Sequence, residues 1–175
     1  MPVGDVMVAS IEQVWAWLGE VPDPEIPVIS LTDLGIIRDV AYQGKTLVVT
    51  VTPTYSGCPA TSVINFEIDK KLRDKGVSDL RLKRQLSPPW TTDWIKPAAR
   101  DALKAYGIAP PIDGTAADGV IAGRIARLSG DNLRVECPRC GSAATEKVSQ
   151  FGSTPCKASY RCTDCLEPFD YFKCI

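Results

Sequence analysis

Between residues 10 and 19 apolar side chains recur as Ile11, Val14, Trp15 and Leu18, which is one face of a helix. Ser10-Ile11-Glu12-Gln13 reads as the capping box that starts it, and Gly19 closes it. Val21 to Val28 contains Pro22, Pro24 and Pro27, so a rigid non-helical loop is expected there. The β-branched runs 36–42 and 46–52 flank Gln43-Gly44-Lys45 and predict a hairpin in which Leu47, Val49 and Val51 share a face. After Cys58-Pro59 the four-residue recurrence of Ala60, Ile64, Ile68 and Leu72 predicts a second helix that begins just after Cys58 and stops at Gly76. Leu80, Leu82 and Leu86 alternate with Arg81, Lys83 and Gln85, the pattern of a strand with one wet face, ended by Ser87-Pro88-Pro89. Pro97 opens a third helix with Ala99, Ala102, Leu103 and Tyr106 on one face before Gly107.

The order is helix, hairpin, helix, strand, helix: an α+β domain of αββαβα type over residues 1–110. Residues 107–119 are small, proline-bearing and aperiodic, so the boundary is expected there, with 111–130 a linker leading into a small C-terminal β ribbon over 131–175.

Composition narrows the function. Apolar residues at 45% and charged residues at 23% describe a folded globular chain of 175 residues, with room for two small domains. The net charge is -1, and the segment from Asp131 onward carries six basic and six acidic side chains, so no strong field draws in nucleic acid. The basic stretch Lys70, Lys71, Arg73, Lys75, Arg81, Lys83 and Arg84 is interrupted by Asp69, Asp74 and Asp79 and reads as a solvated face. A nucleic-acid-binding ribbon is therefore the weaker alternative. Neither an export signal nor a run of about 18 apolar residues is present, so a cytoplasmic protein without membrane partners is expected. Histidine is absent altogether, which excludes a Ser-His-Asp triad, a Cys-His dyad and any histidine-ligated iron centre. No Gly-rich dinucleotide loop or Glu-x-x-His pair appears, so a non-catalytic chain is expected.

Seven cysteines remain to be explained. Cys137-Pro138-Arg139-Cys140-Gly141 and Cys162-Thr163-Asp164-Cys165 are two Cys-x-x-Cys turns at the spacing of a four-thiolate zinc site. Four protein ligands leave no open position, so the metal would hold the fold and do no chemistry. An iron–sulfur cluster at the same cysteines stays open, whereas two disulfides would need an oxidising compartment. Cys156 and Cys174 fall outside this set and read as small apolar fillers, with extra ligation or a redox pair as alternatives. Cys58 precedes Pro59 and the second helix, where free N–H groups and the helix dipole favour a thiolate; the plain alternative is a buried packing thiol. On residue type alone, Asp23 and Glu25 beside prolines read first as turn caps.

Asp23-Pro24-Glu25-Ile26-Pro27-Val28, Leu34-Gly35-Ile36-Ile37 and Val51-Thr52-Pro53-Thr54 leading to Gly57-Cys58-Pro59 resemble the domain of SufT-like iron–sulfur assembly proteins over about residues 10 to 107. Trp90-Thr91-Thr92-Asp93-Trp94-Ile95, Gly107-Ile108-Ala109-Pro110-Pro111 and Phe151-Gly152-Ser153-Thr154, together with the ribbon, extend the similarity to the PaaD/PaaJ family of phenylacetate-CoA oxygenase subunits. That resemblance implies a maturation factor for the iron–sulfur reductase component of the multicomponent phenylacetyl-CoA epoxidase, working with the iron–sulfur assembly machinery. An accessory structural subunit of the same complex is the alternative, and a homodimer stays open. It also implies that Asp23, Glu25 and Cys58 contact a transient iron or cluster, with Thr52 and Thr54 shaping the pocket. A thiolate with one or two carboxylates holds iron weakly enough to release it.

Overall fold

The structure is a computed structural model that describes residues 9–112 and 134–173. It divides into two compact units at the Pro88–Pro89 junction.

In the first unit, helix α1 (Ile11–Gly19) starts as the capping box requires: Gln13 N donates to Ser10 Oγ at 3.2 Å and Ser10 N to Gln13 Oε1 at 2.9 Å. Strands β1 (Ile37–Gln43) and β2 (Thr46–Val51) form the expected antiparallel hairpin. Helix α2 (Thr61–Asp74) buries Ile64, Ile68 and Leu72 on its four-residue stripe. Strand β3 (Leu80–Arg84) then pairs parallel with β2, giving the order β1-β2-β3. Thus β2-α2-β3 is a βαβ unit, a topology the residue pattern did not announce. As the central strand, β2 is buried on both faces, Val48 and Thr50 as fully as Leu47, Val49 and Val51. The expected extension of β3 to Leu86 is corrected: β2 ends at Val51, its register partner Arg84 is the last paired residue, and Leu86 is exposed.

In the second unit a 3-10 turn (Thr92–Trp94) precedes α3 (Pro97–Tyr106), which buries Ala99 and Leu103 and leaves Tyr106 exposed, contrary to its expected place on the packed face. Arg100 ties both ends of this segment, donating to Thr92 O at 2.8 Å and Pro111 O at 2.6 Å. A four-stranded sheet follows in the order β4-β7-β6-β5, built from β4 (Ile108–Ala109), β5 (Thr145–Ser149), β6 (Lys157–Cys162) and β7 (Pro168–Phe172). Because β4 pairs in parallel with β7, α3 and its following strand cluster with the ribbon, and the division falls before the connection expected over 107–119. Residues 113–130 of the expected linker lie outside the described residues, as does Cys174. Among the described residues no helix is long and apolar enough to cross a membrane.

Candidate metal centre and thiol loop

The two Cys-x-x-Cys turns are near copies of each other. Cys137 N donates to Ser142 O and Cys162 N to Glu167 O, each at 2.9 Å and each closing five residues on. The fifth residue of each turn takes a left-handed backbone: Gly141 at φ 77 and Leu166 at φ 65. Glycine accepts that region freely and leucine does not, at about 1–2 kcal/mol. Leu166 is also exposed and has little packing to offset the strain. Leu166→Gly is therefore expected to stabilise the metal-loaded ribbon by roughly 0.5–1 kcal/mol after glycine's own entropy cost. Urea denaturation of the loaded protein checks this, and unchanged or lower stability would mean that the leucine side chain contributes contacts that outweigh its backbone.

The turns face each other and bring all four sulfurs within 4.8 Å of one another. Cys137 Sγ lies 3.7 Å from Cys165 Sγ, and Cys140 Sγ 3.6 Å from Cys162 Sγ. Tetrahedral zinc with sulfur ligands at about 2.3 Å places its sulfurs about 3.8 Å apart, so the donor set fits that ion. Cys137 and Cys162 are fully buried and Cys140 and Cys165 exposed, so the site is anchored inside and closed at the surface. Polar contacts lock the turns together: Arg139 Nε to Glu167 Oε1 at 3.3 Å, Thr163 N to Ala144 O at 2.8 Å, and Ser142 Oγ to Asp164 Oδ2. The adjoining core of Ala109, Val135, Ala158, Tyr160, Phe169 and Tyr171 includes the two buried cysteines, so ligand geometry and packing depend on each other. The thiols are not equivalent when metal-free. The backbone N–H of Cys165 donates to Cys162 and, against burial, brings it down to about 7. For Cys165 the N–H of Glu167 pulls downward, but the neighbouring Cys140 thiol and burial outweigh it and push it up to about 12.

Cys156 is buried outside this set, its sulfur 3.0 Å from Thr154 Oγ1. Nearby, Lys157 is buried with Asp170 3.8 Å away, and Ser153 Oγ donates to the same carboxylate at 2.9 Å. No spacing signal marked that pair in the chain.

In the first unit Cys58 is half-buried, donates its N–H to Tyr55 O at 3.2 Å, and accepts at its carbonyl from Thr61 N. Helix α2 has Ala60 as N-cap, so Cys58 stands two residues before the cap rather than at the helix start expected from the pattern. Thr52 is buried, and its Oγ1 has no hydrogen-bond partner among the described residues; Thr54 is buried as well. Asp23 is buried, and its Oδ1 accepts from Glu25 N and Ile26 N, each at 2.9 Å, which is the turn-capping role that its place beside proline suggests. Among the described residues the four ribbon cysteines are the one group of three or more Cys, Asp or Glu arranged to hold an ion, so Asp23, Glu25 and Cys58 are not brought into one ligand set here. The basic stretch is largely engaged: Lys71 pairs with Glu20 at 2.6 Å, Arg73 with Asp69 at 2.7 Å, and Lys75 lies over the Trp17 ring.

Two family models match the chain: one described as an iron–sulfur cluster assembly protein over residues 11–78, and one described as the PaaD zinc beta ribbon domain over residues 123–173. A protein of Escherichia coli (strain K12), named as a putative 1,2-phenylacetyl-CoA epoxidase subunit, is 47% identical over 165 residues, covering 94% of this chain and 93% of that protein. The "Fe-S protein maturation auxiliary factor YitW" of Bacillus subtilis (strain 168) is 35% identical over 94 residues, 53% of this chain and 91% of that protein. A solved domain of unknown function from Bacillus anthracis is 29% identical with a TM-score of 0.49, covering 53% of this chain and 89% of its own.

Proposed function

We propose, from the premise that this chain belongs to the PaaD family of phenylacetyl-CoA epoxidase subunits, that it is a maturation factor rather than an oxygenase component. Its client is the iron–sulfur reductase component of the epoxidase, and it works with the cell's iron–sulfur assembly machinery. The observation that carries the reading is the thiol loop: Cys58 sits half-buried where β2 hands over to α2, within the segment that matches the iron–sulfur assembly model. Loops at the carboxyl ends of parallel strands are where α/β units hold ligands. Cys58 is the anchoring ligand for a transient iron or cluster. Asp23 sets the backbone of the acidic loop, Glu25 supplies oxygen contact, and Thr52 and Thr54 line the approach. One thiolate with few supporting oxygens gives the weak ligation that delivery requires.

The ribbon has a different task. Cys137, Cys140, Cys162 and Cys165 hold one zinc, which supplies folding energy and no chemistry, because all four positions are filled by protein. A chain with no histidine offers little for oxygen activation. Cells producing the reductase with this chain are therefore expected to yield reductase richer in iron and labile sulfide than cells producing it alone. The purified chain should consume no phenylacetyl-CoA with oxygen and reductant. Turnover by the chain alone would contradict the proposal.

A further inference from the structure

The parallel pairing of β2 and β3 puts Arg84 beside Val51, so both strands finish at the edge from which the Thr52–Cys58 loop departs. From there the Arg84 guanidinium donates through Nη2 to the carbonyl of Ser56, two residues before Cys58. The same four-residue stretch is closed by the Cys58 N–H on Tyr55 O. A guanidinium carries five N–H donors and a permanent charge. Among the described residues no carboxylate pairs with Arg84, and Ser56 is its hydrogen-bond partner. The first turn of α2 contains no acidic side chain and no side-chain cap either.

We infer that Arg84 is a positioning residue for Cys58: it holds the Tyr55–Cys58 turn through Ser56 and gives the thiol loop a preference for negatively charged ligands. This inference rests on the reading of Cys58 as the cargo thiol and specifies that cargo as anionic, which suits a sulfide-bearing iron unit rather than a bare ferrous ion. Parallel register made the assignment visible. In the linear chain Arg84 is simply the last cation of a mixed-charge stretch.

The test uses the full chain with its ribbon loaded with zinc and two alkylating reagents of similar size, anionic iodoacetate and neutral iodoacetamide. In each case the Cys58 sulfur displaces iodide and forms a C–S bond, read by mass spectrometry of the peptide containing Cys58. Arg84→Ala should lower the iodoacetate-to-iodoacetamide rate ratio about threefold to fivefold by removing a nearby charge, and should speed amide exchange over residues 56–60. Arg84→Lys should keep the rate ratio while losing part of the exchange protection. A ratio in Arg84→Ala equal to wild type would overturn the assignment. Alkylation reports on Arg84 alone, and the reductase's cluster content reports on Cys58, so failure of one reading is not mistaken for failure of the other.

Discussion

Cys162→Ala should abolish the folded ribbon while leaving the first unit standing. Structural zinc contributes an apparent ~10–16 kcal/mol in small cysteine-ligated modules, as much as the whole stability of an ordinary domain. Cys162 is both a proposed zinc ligand and a fully buried member of the ribbon core, so its loss is expected to remove metal and packing together. Hydrogen exchange read by peptide is the measurement. Protection should vanish across β5, β6 and β7, and with β7 gone the two-residue β4 has no pairing partner. Protection in α1, α2 and the β1-β2-β3 sheet should stay near wild type, because their core of Leu18, Leu47, Val49, Ile68 and Leu72 is complete within the first unit. Equal loss in both units would mean that they do not fold separately. Stripping zinc from the wild type should have the same effect, and more readily in acid. Metal binding must displace protons from thiols such as Cys165, pushed up to about 12, so retention weakens as pH falls.

Where local pattern decides structure, the chain was legible. The Ser10/Gln13 capping box, the two strands around Gly44, the Ile64-Ile68-Leu72 stripe and the doubled Cys-x-x-Cys each carry their cause within a few residues, and each appears in the structure as read. What escaped depends on partners distant in sequence. Alternation in Leu80–Arg84 says strand but not that it lies parallel to β2, and only that pairing brings Arg84 to the Cys58 loop. Two residues, Ile108 and Ala109, are too few to show a period, so their pairing with β7 was unreadable, and with it the place of α3 in the second compact unit. Leu166 hid a left-handed turn because the usual marker there is glycine, as at Gly141. At the acidic loop the residue types admitted two roles. The structure makes Asp23 a turn cap, and the delivery role proposed for the loop is decided by function rather than by fold.

That role hangs on one sulfur. Cys58 belongs to neither the ribbon site nor a buried core, and it is only half-buried in a loop, so replacing Sγ by Oγ removes a soft ligand and little else. Cys58→Ser should therefore change stability by less than about 1 kcal/mol, as loop substitutions away from packing usually do, and should leave the ribbon zinc at one per chain. The effect should appear in another protein. When the reductase component is produced together with the Cys58→Ser chain, its iron and labile sulfide should fall to the level found when it is produced with no such chain at all. That deficit is expected while the variant chain itself stays folded and zinc-loaded. Reductase with the same cluster content beside the variant as beside the wild type would contradict it.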